Sequence, residues 1–275
     1  VTGNWLSNES IEGSFVRLRA QQHLSGAKDA PSDDCGPNHG FKPSFAWAAG
    51  PAQATHFAIK GVLWYQGESN AIRQEDIAEY GVLMKLLVAD WRRHWHQADL
   101  PFYWVQLPSI NEPARQFWPE FREVQRQLTT EITSSGMAVA LDVGTPKDVH
   151  PRNKRPVGER LAALALRDLY GRKDLIAEGP VVIDARQAGK TIRVRFRSAD
   201  GLTLVGPSIP LVETRQKGTA NFKAARGMRV EGNELVVEAD GLVVEIRYAW
   251  HMNAAAALRN GAGLPAGPFV LKVSE

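Results

Sequence analysis

Two polar clusters in this 275-residue sequence contain the residue types that acyl transfer requires. In Thr145-Pro146-Lys147-Asp148-Val149-His150-Pro151 an acid stands two positions before a histidine, in a segment stiffened by two prolines. An aspartate so placed can fold its carboxylate back onto imidazole Nδ1 and leave Nε2 facing a crevice, as a general base held in one tautomer. The second cluster, Gln66-Gly67-Glu68-Ser69-Asn70, offers an amide side chain and a glycine N–H. Such donors stabilise the negative charge that grows on an attacked carbonyl oxygen. Taken alone, Asp-x-His is a weak pattern, because many such triplets are surface turns.

The elements around the clusters give them a place. From residue 58 to about residue 171, short apolar runs alternate with amphipathic segments, the pattern of a parallel α/β sheet. Ile59 to Tyr65 reads as a buried strand, and Tyr80, Leu83, Met84, Leu87, Val88, Trp91 and Trp95 form a helical stripe. Phe102 to Val105 is a second strand, Phe117, Phe121, Val124 and Leu128 a second stripe, and Met137 to Val143 a third strand. A helix from about Val157 stops at Gly171. Each polar cluster follows a strand, and in open α/β sheets ligands collect at the carboxyl ends of strands.

After about residue 177 the pattern becomes short β-type runs: Val181 to Ile183, Ile192 to Phe196, Leu202 to Val205, Leu235 to Val237, Leu242 to Tyr248 and Phe269 to Val273. Asp200-Gly201, Gly232-Asn233 and Asp240-Gly241 punctuate them as turns. Three regions are therefore expected: a connecting segment over 1–57 packed on the catalytic domain, an α/β catalytic part over 58–176, and a β-sandwich-like accessory domain over 177–275.

Acids and bases nearly balance, leaving a formal charge of +3 without Lys/Arg blocks, which argues against nucleic acid as a partner. No apolar run approaches the roughly 20 residues of a membrane span. The opening residues lack both an initiator methionine and a signal-peptide pattern, so a processed or trimmed chain is expected. Cys35 is the single cysteine, so no disulfide within the chain and no Cys-based metal cage is expected. Most of the eight tryptophans are expected in the core, although sugar-binding proteins also use such rings as platforms.

The string Ile59-Lys60-Gly61-Val62-Leu63-Trp64-Tyr65-Gln66-Gly67-Glu68-Ser69-Asn70-Ala71 closely resembles the hallmark segment of the sialate O-acetylesterase family. Ala89-Asp90-Trp91-Arg92, Phe121-Arg122-Glu123-Val124-Gln125 and Asp148-Val149-His150-Pro151-Arg152-Asn153-Lys154 resemble the same family in the same order. Arg247-Tyr248-Ala249-Trp250, followed by Asn260 to Pro265, is similar to its closing segment. The resemblance implies an SGNH-hydrolase-like three-layer α/β/α parallel sheet with a C-terminal all-β domain, removing acetyl groups from sugars with a Ser-His-Asp triad and no metal or other cofactor. It assigns His150 as base, Asp148 as its orienting acid, and the Gln66 side chain and Gly67 N–H as oxyanion donors. Trp64, Glu68, Asn70 and Arg122 are the expected sugar contacts, and a periplasmic or secreted location is implied.

The family's nucleophile lies in a Gly-Gln-Ser-Asn-type block that this sequence lacks. Ser69 is better read as a helix cap. The sheet is thus expected to be incomplete, missing its first strand and serine block, with a separate N-terminal polypeptide supplying both. The alternatives are an acetylesterase of xylan or xyloglucan and a non-catalytic sugar-binding protein on the same fold. Lys147, Arg152, Lys154, Arg155 and Arg160 surround the His150 loop and suit either an acidic sugar or plain solvation. His94-x-His96 reads as a solvated helix end, and Trp118 as either a sugar-site or a packing residue.

Overall fold

The computed structural model describes residues 2–11, 32–33, 36–37, 42–206 and 211–275. Cys35 and much of the expected connecting segment lie outside the described residues. The chain divides into two compact units, Val1–Phe102 with Leu128–Ser135, and Tyr103–Gln127 with Gly136–Glu275. The change of sequence pattern near residue 177 falls inside the second of these.

A three-stranded parallel sheet has the order β1 (Val62–Trp64), β2 (Phe102–Val105), β3 (Ser135–Ala138). In the first unit, the Val62 N–H donates to the Pro101 carbonyl at 2.8 Å and the Phe102 N–H to the Ser134 carbonyl at 3.0 Å. Strand β1 alternates, with Val62 and Trp64 buried and Leu63 60% exposed. Helix α1 (Gln74–His94) buries Ile77, Tyr80, Leu83, Met84, Leu87, Val88 and Trp91 at helical spacing. Its start corrects the reading of Ser69. Arg73 holds the cap position, and Ser69 is exposed in the turn before it. Glu75 and Asp76 supply negative charge to the first turn, and Arg73 pairs with Asp76 at 2.8 Å, so the helix end needs no hydroxyl there.

Trp91 sits among Trp47, Trp64, Trp95 and Phe102, with ring centroids 5.4 to 6.1 Å away. Trp5 meets Trp64 edge-on at 5.8 Å. Six of the eight tryptophans are buried, so they stabilise by apolar burial and ring packing. The neighbouring Asp90 side chain is fully buried and takes the Ser7 N–H and hydroxyl at 2.7 Å each, the Ser10 hydroxyl at 2.6 Å and Arg93 at 2.8 Å. Burial acts to raise its pKa, but the Ser10, Ser7 and Arg93 hydrogen bonds outweigh that and hold the carboxyl below its usual range. The Asp90-Trp91 pair therefore ties residues 5–10 to α1, since the Trp91 indole also donates to the Trp5 carbonyl. His94 lies against the Trp47 ring at 4.6 Å.

The second unit contains most of helix α2 (Trp118–Glu131), helix α3 (Arg155–Leu169) and ten strands: β4 (Val181–Ala188), β5 (Thr191–Arg197), β6 (Thr203–Leu204), β7 (Val212–Gln216), β8 (Lys223–Ala224), β9 (Met228–Glu231), β10 (Glu234–Glu238), β11 (Val243–Tyr248), β12 (Leu258–Arg259) and β13 (Phe269–Ser274). Eight of them order as β8-β7-β11-β13-β4-β5-β10-β9, and β12 pairs with β6. Strand β13 joins the halves, pairing antiparallel with β11 over Phe269–Lys272 and parallel with β4 at Val273 and Ser274. Both halves contribute to one core, Ile192, Val194, Phe196, Leu235 and Val237 from one and Val212, Val243, Ile246, Tyr248 and Phe269 from the other. Two-residue turns join β4 to β5 and β9 to β10, each led by a glycine at φ +59°, a conformation that side chains other than glycine rarely adopt.

Two differences from the sequence reading have physical causes. Met137 to Val143 is not one strand: β3 ends at Ala138, and Leu141 packs into the core of the β-module, which an apolar run alone does not distinguish from strand burial. Strands β7 and β9 escaped detection because Val-Glu-Thr-Arg-Gln and Met-Arg-Val-Glu carry few apolar residues and lie toward the sheet's edges.

Asp142, just beyond β3, locks helix and β-module together. Arg160 of α3 donates to it twice, at 2.7 and 2.8 Å, and Arg259 of β12 once, at 3.2 Å. Burial acts to raise the carboxyl's pKa, but Arg160 and then Arg259 overcome it and hold it low. A carboxyl depressed in the folded state contributes stability above its unfolded pKa of about 3.9 and loses it as pH falls through the folded value. Asp142→Asn is therefore expected to lower stability by about 1–3 kcal/mol at neutral pH. The gap to the unsubstituted protein should narrow below about pH 4 in urea unfolding followed against pH; a constant gap would show that the ion pair is not its source.

Candidate active site

The carboxyl end of β2 leads into residues Leu107-Pro108-Ser109-Ile110-Asn111, which form a shelf within the second unit. Helix α2 builds it. Gln125 donates to the Val105 carbonyl at 3.0 Å and accepts the Leu107 N–H at 2.9 Å, while the Trp118 indole donates to the Pro108 carbonyl at 2.7 Å. Arg122, fully buried, donates to the Leu107 and Pro108 carbonyls on one side and to those of His251 and Met252 on the other. Burial presses its pKa down to about 9, so it remains charged at neutral pH with carbonyl dipoles around it.

Against this shelf lies the loop carrying Asp148 and His150. The Asn111 N–H donates to the Pro146 carbonyl at 2.7 Å. Gly144 passes so close to Ser109 that an added Cβ would fall 1.9 Å from the Ser109 carbonyl oxygen, which only glycine permits. Within the loop, the Asp148 carboxylate accepts the His150 backbone N–H at 2.8 Å. This differs from the sequence expectation, in which the carboxylate meets the ring. An acid two residues upstream reaches the main-chain N–H through a short Asx-type turn, and that local bond wins here. The His150 ring is exposed.

In the first unit, the Gln66 to Asn70 cluster is a turn, with the Asn70 N–H donating to the Gly67 carbonyl at 2.9 Å. Gly67 has φ +149°, where a side chain would be strained. The Gln66 amide is held at both ends, its oxygen by the Thr2 hydroxyl at 2.9 Å and its nitrogen by Asn70 Oδ1 at 2.7 Å. Asn70 is buried and Glu68 half-buried.

The expected site residues thus divide by unit, Trp64, Gln66, Gly67, Glu68 and Asn70 in the first, and Arg122, Asp148 and His150 in the second. Trp64 is buried against Trp5 and Trp91, and Arg122 and Trp118 serve the shelf, so burial favours a packing role for all three. Around the His150 loop, Arg160 is engaged by Asp142 and Arg155 by Glu159, while Lys147 and Arg152 are exposed. Sequence reading missed Ser109, Asn111 and Gly144. Their partners are remote in sequence, and only Gly144, a glycine just before Thr145-Pro146, hinted at close packing.

Residues 46–167 match the family described as carbohydrate esterase, sialic acid-specific acetylesterase. Sialate O-acetylesterase of Mus musculus is 27% identical, over 84% of this chain and 48% of its own length. The Homo sapiens enzyme is 26% identical over 85% and 50%. A solved carbohydrate acetylesterase from Xanthomonas citri superposes with a TM-score of 0.70 and 31% identity, covering 79% of this chain and 51% of the other. In sequence and fold the chain is similar to carbohydrate esterases. Within that class, its relatives are sialate O-acetylesterases. It spans about half the length of the curated relatives it matches.

Proposed function

We propose that this chain supplies the base of a carbohydrate O-acetylesterase whose nucleophilic serine lies on an N-terminal segment outside these residues. The observation that carries the reading is the His150 loop: an exposed imidazole on a main chain fixed by Asp148 and by the Asn111 shelf. The short sheet is then the incomplete core of an SGNH-like three-layer domain, with β1 at the edge of the three-stranded sheet where a missing strand would pair. His150 takes the proton of the serine hydroxyl as its oxygen attacks the acetyl carbonyl. Hydrogen-bond donors stabilise the negative charge that grows on the acetyl oxygen, and the sugar oxygen leaves with the proton from His150. Water then attacks the acetyl-serine by the same route, releasing acetate. Asp148, with Oδ1 engaged by the His150 N–H, holds the main chain from which the ring projects. Lys147 and Arg152 suit the carboxylate of an acidic sugar. The acetylated sugar, encountered in the periplasm or outside the cell, is the substrate.

The test is acetate release by the full-length protein from 9-O-acetyl sialic acid and from acetylated xylan. Faster release from the sialic acid supports the reading, and faster release from xylan transfers it to plant polysaccharide. No release from either, with tight sugar binding retained, would establish a binding protein instead.

A further inference from the structure

The β-module reaches the base through one turn. Ala249 takes φ +51°, rare for a residue with a side chain, and is held there by its N–H on the Leu211 carbonyl at 2.7 Å. The next residue, Trp250, has its ring under the Arg247 guanidinium, 5.9 Å from the centroid. Arg122 grips the following two carbonyls, those of His251 and Met252. This turn is therefore held by hydrogen bonds at Ala249, His251 and Met252, which a merely connecting loop does not require. Its onward contacts go to the shelf: the buried Ser109 hydroxyl donates to the Ala254 carbonyl at 2.6 Å, and the Ile110 N–H donates to the Met252 carbonyl at 3.1 Å. Ser109 in turn lies under Gly144, and the residue after Ile110 ties Pro146.

We propose that Ser109 is a positioning residue for His150, transmitting the place of the Ala249–Ala254 turn to the loop that carries the imidazole. The inference rests on the esterase reading for its catalytic consequence, but its mechanical content does not. Residues 145–147 are exposed, so the shelf is what fixes the loop's height above the sheet. Losing the Ser109 hydroxyl leaves the Ala254 carbonyl without its donor and lets the shelf shift. Misplacement by about 1 Å can cost on the order of 100-fold in rate while leaving substrate affinity nearly intact.

The experiment compares Ser109→Ala with Ser274→Ala in the full-length protein. Ser274 makes a similar hydroxyl-to-carbonyl bond, to Ala185 at 3.3 Å, away from the turn. Hydrogen exchange of peptides covering 144–150 and acetyl-ester kinetics are measured on both. Ser109→Ala is expected to speed exchange in that segment and to lower kcat roughly ten- to hundredfold with little change in KM; Ser274→Ala should do neither. If Ser109→Ala does not fold, Ser109→Cys, a weaker donor of similar size, should show the same changes at smaller amplitude. Unchanged exchange in 144–150 overturns the proposal whatever the activity. An inactive unsubstituted protein would instead sink the esterase reading and leave the exchange result to decide the coupling.

Discussion

Full-length protein carrying His150→Ala should turn over an acetyl ester slower by a factor on the order of 10^4, the scale at which a triad loses its base. The ring is exposed, and the bond from Asp148 runs to the main-chain N–H, which alanine keeps. Stability should therefore change by no more than about 0.5 kcal/mol, as for surface substitutions generally. The fall should lie in kcat, because in the proposed mechanism the base acts on the serine proton in the transition state and does not hold the sugar. Asp148→Ala offers a contrast, since it frees the His150 N–H and any hold on the ring together, and its loss should be smaller than that of His150→Ala. A drop of less than tenfold for His150→Ala would remove this residue from the mechanism.

Arg122→Ala should cost the fold about 3–5 kcal/mol, the range for breaking a buried charged network. Arg122 serves four carbonyls, of Leu107, Pro108, His251 and Met252, and the first two lie where water has poor access. Lysine is no replacement, because a single ammonium cannot span both sides of the fork. Denaturant unfolding measures the loss. The result separates two roles: a sugar contact would raise KM and leave the unfolding midpoint in place, whereas the structural clamp shifts the midpoint. A change of less than about 1 kcal/mol would show that the carbonyls find other donors.

Much of the local structure was legible because its causes are local. The alternation around Val62 and Trp64, the stripe from Tyr80 to Trp91 and the glycine-led turns of the β-module each follow from the side-chain period of one element. Family likeness in the Gln66–Asn70 and Asp148–Lys154 strings pointed to the chemistry. Ser69 was misread because a serine near a helix start looks like a cap, while the first turn was already served by Glu75 and Asp76.

By itself, then, the sequence determined the α/β beginning, the β-rich end and the likeness to sialate O-acetylesterases. The tertiary structure decided what holds them. Ser109 finds the Ala254 carbonyl 145 positions away, and Arg122 finds His251 at a separation of 129. No periodicity encodes such pairs, because a main-chain carbonyl is present at every residue and becomes a specific partner only when folding removes its water.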